Sequence, residues 1–237
     1  ASDVYKRQAP ENPGSEVMHG IRELHARYGI EAEDIDYFTH GTTVGVNTVI
    51  QRKGIRLCLF VTENFADVLE VARLKMPDPY DLLSTRQQPL VDREVVLEIR
   101  ERVRSDGGIE EEPDEESIRT ALVRAKSMGA EGIVVALINS YRNPANEHKV
   151  KSIVQGEDPE LPVFCSADVW PIIREYERTT TAVVHGYVQP RVSYYLSSLE
   201  RALSEVGVPA PPQVTISNGG IMSAESGRED CVQILLS

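Results

Sequence analysis

Val17, Ile21, Leu24 and Tyr28 recur at the spacing of one helix face, and Gly29 follows as a stop. This pattern predicts a helix over Glu16–Tyr28 that packs against a sheet. The segment Ile35-Asp36-Tyr37-Phe38-Thr39 reads as a short strand, and Asn47 to Arg52 as the start of a helix. With Gly54 as a turn and the apolar run Ile55 to Val61 as the next strand, these predict a βαβ-like unit in a parallel or mixed sheet. Alternation over Glu94–Arg104 predicts a further strand, followed by a turn at Asp106-Gly107-Gly108 and a helix from Asp114 to Met128 that Gly129 ends. The run Gly132 to Ile138 is apolar throughout, as in a strand buried on both faces. Pro144 opens a helix reaching to about Gly156, and Pro162–Cys165 reads as a short strand. A long helix is predicted over Thr180–Val206 through Val184, Val188, Tyr195, Leu199 and Leu203, with Pro190 as a break or kink. After the connector Pro209–Pro212, Val214-Thr-Ile-Ser217 reads as a strand running into Asn218-Gly219-Gly220. Strands followed by polar loops and helices make an α/β fold, which usually binds ligands at strand ends.

Composition narrows the functional classes. At 237 residues and 41% hydrophobic content, the chain can bury the core of one or two domains. A formal charge of −12 and an isoelectric point of about 4.9 argue against nucleic acid or an anionic membrane as partner. No apolar run approaches the roughly 18 residues that cross a bilayer, and no basic-then-apolar leader is visible. Cys58, Cys165 and Cys231 are odd in number and far apart, which fits small buried residues in a reducing cytoplasm better than a disulfide framework.

The richest candidate chemistry lies in His40-Gly41-Thr42-Thr43-Val44-Gly45-Val46-Asn47-Thr48. Hydroxyls, an amide and backbone N–H groups at a strand-to-helix turn suit an oxyanion. The same residues also suit a plain helix cap, with Thr42 or Thr43 in that role. His40 either orients this loop and assists proton transfer or serves only as a fixed strand-end side chain. Ser217-Asn218-Gly219-Gly220 is a second place for close backbone approach to a ligand, or an ordinary strand-to-helix turn. In Arg174-Glu-Tyr-Glu-Arg-Thr179, Glu175 or Glu177 suits a metal or substrate and Arg178 an anion, against the alternative of an internal ion-pair network. Met222, Tyr194, Tyr195 and Trp170 read as packing residues.

The run His40-Gly-Thr-Thr-Val-Gly-Val-Asn-Thr-Val-Ile-Gln-Arg-Lys-Gly54 resembles the signature of the ATP-dependent hydantoinase A/5-oxoprolinase family. Further similar blocks follow in the family's order: Phe65–Arg73, the proline-rich Pro77–Leu82, Ala136–His148, Arg174–Thr179 and Ser217–Ser223. The resemblance implies an actin/sugar-kinase-like nucleotide fold with mixed sheets flanked by helices. Nothing before Ala9 resembles the acidic, glycine-rich phosphate motif that opens such proteins, residues 1–8 look foreign, and the chain stops where a second phosphate loop is expected. An internal fragment, incomplete at both ends, is therefore expected, with a soft boundary near Val183 between a region resembling the family's N-terminal domain (9–182) and the start of its hydantoinase A domain (183–237).

The family resemblance implies ATP-driven opening of a cyclic amide such as a hydantoin or 5-oxoproline, or carboxylation of a ketone in one branch. It implies ATP with Mg2+ or Mn2+ as cofactors, a hydantoinase B-type partner subunit and an oligomer. A non-catalytic scaffold within such an assembly is the alternative, and the isolated fragment is expected to be inactive. In the enzyme reading, Thr42 and Thr43 bond phosphate or substrate and His40 assists proton transfer. Glu175 joins them in a catalytic role, while Gly41, Asn47, Arg178, Ser217, Asn218, Gly219 and Gly220 contribute to the nucleotide site.

Overall fold

The computed structural model describes residues 14–74, 78, 80–81, 83–84 and 88–236. In chain order these form α1 (Ser15–Tyr28), β1 (Thr39–His40), α2 (Val44–Ile50), β2 (Leu57–Thr62), α3 (Val68–Val71), β3 (Val96–Ile99), β4 (Arg102–Val103) and β5 (Ile109–Glu111). There follow α4 (Glu115–Ser127), β6 (Gly132–Ala136), α5 (Ala145–Glu157), β7 (Val163–Cys165), α6 (Ser166–Val169), α7 (Glu175–Glu205), β8 (Gln213–Thr215), β9 (Ile221–Ser223) and α8 (Ala224–Glu229). The chain is mixed α/β, and it divides into two compact units. One holds the described residues of Ala1–Gln51 with those of Val188–Ser237, the other Arg52–Tyr187.

The unit Arg52–Tyr187 is built on an all-parallel sheet of order β3-β2-β6-β7. Every residue of β2 and β6 is buried, as the continuous apolar runs require of central strands covered on both faces. Ile118, Leu122 and Ala125 of α4 and Val150 and Val154 of α5 pack with Phe60, Ile99, Ile133 and Val135 into one core. On β6 and β7, Val134 and Phe164 lie against α7 at Gly186, where a Cβ would come within 2.8 Å of the Phe164 ring. Asp114 caps α4 by accepting a bond from the Ser117 N–H at 2.9 Å. Between β4 and β5 the predicted turn forms, with Gly107 at φ +91°.

In the other unit, a small sheet of order β1-β8-β9 pairs β1 parallel with β8 and β8 antiparallel with β9. Ile21, Leu199, Leu203 and Val208 form its buried core beside α1, whose C-terminus Gly29 closes at φ +66°. Gly45 lets α2 lie close to Leu235, for a Cβ there would fall 2.7 Å from Leu235 Cδ2.

Several expectations from sequence are corrected. The predicted βαβ unit does not form: β1 pairs with β8, whereas β2 joins β3 and β6. The chain turns after α2 at Arg52, with φ +53°, and Gly54 packs flat on Tyr187, leaving no room for a Cβ. Entry into β2 is thereby committed to the sheet of Arg52–Tyr187. The strand expected at 35–39 shortens to Thr39–His40, the residues that pair with Gln213 and Val214 of β8. Helix α2 begins at Val44 rather than Asn47, and α7 at Glu175 rather than Thr180. Acidic Glu175 and Glu177 favour that earlier start at the positive helix end, and Pro190 is carried inside the helix. The strand expected over Glu94–Arg104 divides into β3 and β4, interrupted at Arg100-Glu101, where the Glu101 side chain turns inward and is 2% exposed. Asn218-Gly219-Gly220 forms the turn of the β8–β9 hairpin rather than a strand-to-helix turn. Residues 1–8, with Pro77, Pro79 and Leu82 of the proline-rich block, lie outside the described residues.

Cys58, Cys165 and Cys231 are buried thiols, and none forms a disulfide among the described residues. Burial raises the pKa of each thiol, that of Cys231 to about 12, so they behave as small apolar residues. No helix among the described residues is long and apolar enough to cross a membrane.

Candidate functional site

Two of the polar loops singled out from sequence lie side by side. β1 and β8 run parallel, with Thr39 opposite Gln213 and His40 opposite Val214, so the segments leaving their carboxyl ends emerge at the same sheet edge. Those segments are Gly41–Thr43 and Ile216–Gly220. Gly41 stands close to β8, since a Cβ there would sit 3.2 Å from Thr215 Oγ1. The carboxyl edge of parallel strands is the usual ligand side of an open α/β sheet.

Within the first loop each side chain has a distinct setting. Thr42 is buried, and its Oγ1 accepts a bond from the Val44 N–H at 3.3 Å. Thr43 is exposed and occupies the cap position of α2 without capping it through its side chain. Its Oγ1 instead accepts from Asn47 Nδ2 at 3.1 Å, which directs the hydroxyl proton away from Asn47. The Asn47 backbone N–H donates to Thr43 O at 2.9 Å, so Asn47 braces the turn twice. His40 is half-buried at the end of β1, with Nε2 2.6 Å from the Tyr195 hydroxyl and its ring stacked on Tyr195 and Phe38.

The second loop is a tight, internally bonded turn. Asn218 Oδ1 accepts from the Gly220 N–H at 3.0 Å, and Gly219 takes φ +88° with no atom within 4 Å of a notional Cβ. Ser217 is exposed, but its hydroxyl donates to Gln233 O at 2.7 Å and accepts from the Leu236 N–H at 3.2 Å. Its side chain thus ties the loop to the segment after α8, leaving Asn218 and Gly219 at the exposed tip.

Glu175 and Arg178 belong to the unit Arg52–Tyr187. Where an anion contact is expected at Arg178, the guanidinium is 1% exposed and donates to Ser166 Oγ at 3.1 Å and to the carbonyls of Ile172 and Leu137 at 2.8 Å each. Burial pulls its pKa down, opposed by Glu147 and Glu175. The Ser166 hydroxyl donates to Glu147 Oε1 at 2.7 Å, and Glu147 also accepts from the N–H groups of Leu137 and Ala167 at 2.9 Å. Burial drives the Glu147 carboxyl upward in pKa, while these donors hold it down. Glu175 is 3.7 Å from Arg178 and partly exposed, beside a shallow cleft lined by Arg73, Arg174, Tyr176 and Glu177. Glu177 is bonded to Arg73, which lowers its pKa.

Sequence reasoning missed Glu147 and Tyr195. Glu147 sits in the first turn of α5, where an acid looks like an ordinary complement to the helix end. Its signal was an acid, a serine and an arginine, Glu147, Ser166 and Arg178, each bordering an apolar strand or helix. Tyr195 lies 155 residues from His40, and no local pattern joins them.

Comparison with known proteins places these features in a family. The hydantoinase/oxoprolinase N-terminal region matches residues 3–157, and the hydantoinase/oxoprolinase domain matches residues 178–237. The acetone carboxylase beta subunit of Xanthobacter autotrophicus is 32% identical over 92% of this chain and 32% of its own length. A nucleotide-free structure of acetone carboxylase, from work on ATP-dependent acetone carboxylation, superposes with a TM-score of 0.88 at 26% identity, covering 98% of this chain and 34% of that one. The crystal structure of ATP-dependent caprolactamase from Pseudomonas jessenii gives a TM-score of 0.83 at 28% identity, covering 92% and 32% respectively. The chain spans about a third or less of the length of the curated relatives it matches. With both domain matches in sequence order, the chain belongs to the hydantoinase/oxoprolinase family.

Proposed function

We propose that this chain contributes to an ATP-dependent enzyme that opens a cyclic amide, and that the loops after β1 and β8 contact the phosphate or the amide carbonyl. The observation that carries this reading is the meeting of the two polar loops at the carboxyl ends of adjacent parallel strands. Membership in a family whose relatives include an ATP-dependent caprolactamase supports the choice of substrate class.

The residues suit a phosphate. Exposed Thr43 keeps a hydroxyl donor, and the open space beside Gly219 allows backbone approach. ATP, when bound, supplies the phosphoryl group that turns an amide oxygen into a leaving group for water. Thr43 then donates to the anionic oxygens, and Thr42 holds the loop through Val44. Asn47 fixes Thr43, and His40 moves a proton at the end of β1. Glu175, partly exposed, is assigned to substrate contact, and Arg178 to the framework behind it. No cluster of three or more His, Cys, Asp or Glu suited to a metal exists among the described residues, so Mg2+ or Mn2+ is given no ligand here.

Ketone carboxylation is the second reading, favoured by the superposition on acetone carboxylase. That the Xanthobacter relative is a beta subunit supports a partner subunit of the hydantoinase B type in either case. The test is ATP hydrolysis with magnesium by the protein expressed from its complete reading frame, with and without such a partner. Hydantoin, 5-oxoproline, caprolactam and a simple ketone form the panel. Stimulation by a cyclic amide is the expected result. Stimulation by the ketone alone would select carboxylation, and no hydrolysis under any condition would favour a non-catalytic scaffold.

A further inference from the structure

We infer that Tyr195 is a positioning residue for His40: its phenol O–H donates to Nε2 and keeps the imidazole proton on Nδ1. The inference rests on the proposed role of His40 at the loop after β1, and it adds the device that would orient that ring. The 2.6 Å contact joins residues 155 positions apart, so only the fold creates it. The imidazole has two aromatic neighbours, Tyr195 at 5.7 Å between centroids and 27° between planes, and Phe38 at 6.4 Å and 16°. Tyr195 is itself fixed, because Val192, Leu196 and Leu199 on the same stretch of α7 are fully buried. A ring stacked in this way cannot flip without losing the bond at Nε2.

The direction of the bond follows from the acidity of its two ends. Neutral imidazole nitrogen is a far better proton acceptor than a phenol oxygen, and the phenol, with a pKa of about 10, is the natural donor. A neutral histidine that accepts at Nε2 must carry its proton at Nδ1. Imidazole in water favours the opposite tautomer, so the tyrosine selects the rarer form. His40 thereby carries its proton at a defined ring nitrogen, as an oriented acid–base group requires.

The 15N spectrum of the histidine rings in this chain, at a pH where they are neutral, tests the inference directly. His40 is expected to show a protonated Nδ1 and a bare Nε2, and Tyr195→Phe, which keeps the stacked ring, is expected to shift the proton toward Nε2. A wild-type His40 protonated at Nε2, or an unchanged tautomer in the variant, would overturn it. In the active enzyme, Tyr195→Phe should lower kcat about tenfold, the rate equivalent of one hydrogen bond, with KM nearly unchanged. Because the spectrum needs no turnover, a wrong substrate assignment and a wrong tautomer are read separately.

Discussion

Glu147, Ser166 and Arg178 in the unit Arg52–Tyr187 are at most 1% exposed, whereas Thr43, Ser217, Asn218 and Gly219 in the other unit are exposed. Apart from Ser166, both groups come from polar blocks that resemble the same family. In the first group the side chains spend their bonds on one another and on the backbone at the ends of β6 and β7. In the second, Thr43 and the Asn218-Gly219 tip stay at the surface, braced from behind by Asn47 and Ser217. A charged residue in a shared motif is therefore no guide to ligand contact until its burial and bonding are known. The closed cluster keeps its polar atoms inside the fold, and the open loops keep theirs at the surface.

The largest effect should come from breaking the closed cluster. Glu147→Ala strands the N–H groups of Leu137 and Ala167 and leaves the Arg178 charge buried, which should cost about 3–5 kcal/mol in denaturant unfolding. A loss of less than about 1 kcal/mol would show that the cluster is not a framework. Next in size is Gly54→Ala, whose Cβ would fall 2.3 Å from the Tyr187 ring. Overpacking there should cost about 1–3 kcal/mol, and a neutral result would remove the stated reason for the turn into β2.

Glu101 sharpens the comparison through pH. It is buried and bonded to Thr62 and Asn146 without a cation in ion-pair contact among the described residues, and burial raises its pKa above the usual 4.5. The folded chain then holds this proton to higher pH than the unfolded chain does. Stability from this group is full below about 4.5 and declines as pH rises through the elevated folded value. Glu101→Gln should flatten that decline in melts taken across the range, and an unchanged slope would contradict the assignment. At the small end, Thr43→Ala should change stability by no more than about 0.5 kcal/mol, as expected of an exposed side chain, while impairing turnover.

Sequence patterns read the fold well wherever one element decides its own fate. The apolar run over Gly132–Ile138 became the buried central strand β6, and Gly29, Asp114 and Gly107 punctuated as their chemistry requires. Pairing was less legible. Nothing local in Thr39-His40 says that its neighbour is β8, because parallel partners are chosen by packing far along the chain. The same limit applied to the site. Both loops could be found from glycines and hydroxyls, but their adjacency, the His40–Tyr195 bond and the Glu147–Arg178 cluster are properties of three-dimensional packing.

The most direct test of the account is the double substitution Thr42→Ala and Thr43→Ala in the protein expressed from its complete reading frame, assayed for ATP-dependent turnover beside a thermal melt. The account predicts lost turnover with a melting temperature lowered by only a few degrees, since the bonds from Thr42 to the Val44 N–H and from Asn47 to Thr43 are both local to the turn. Unchanged turnover in a folded double variant would contradict it.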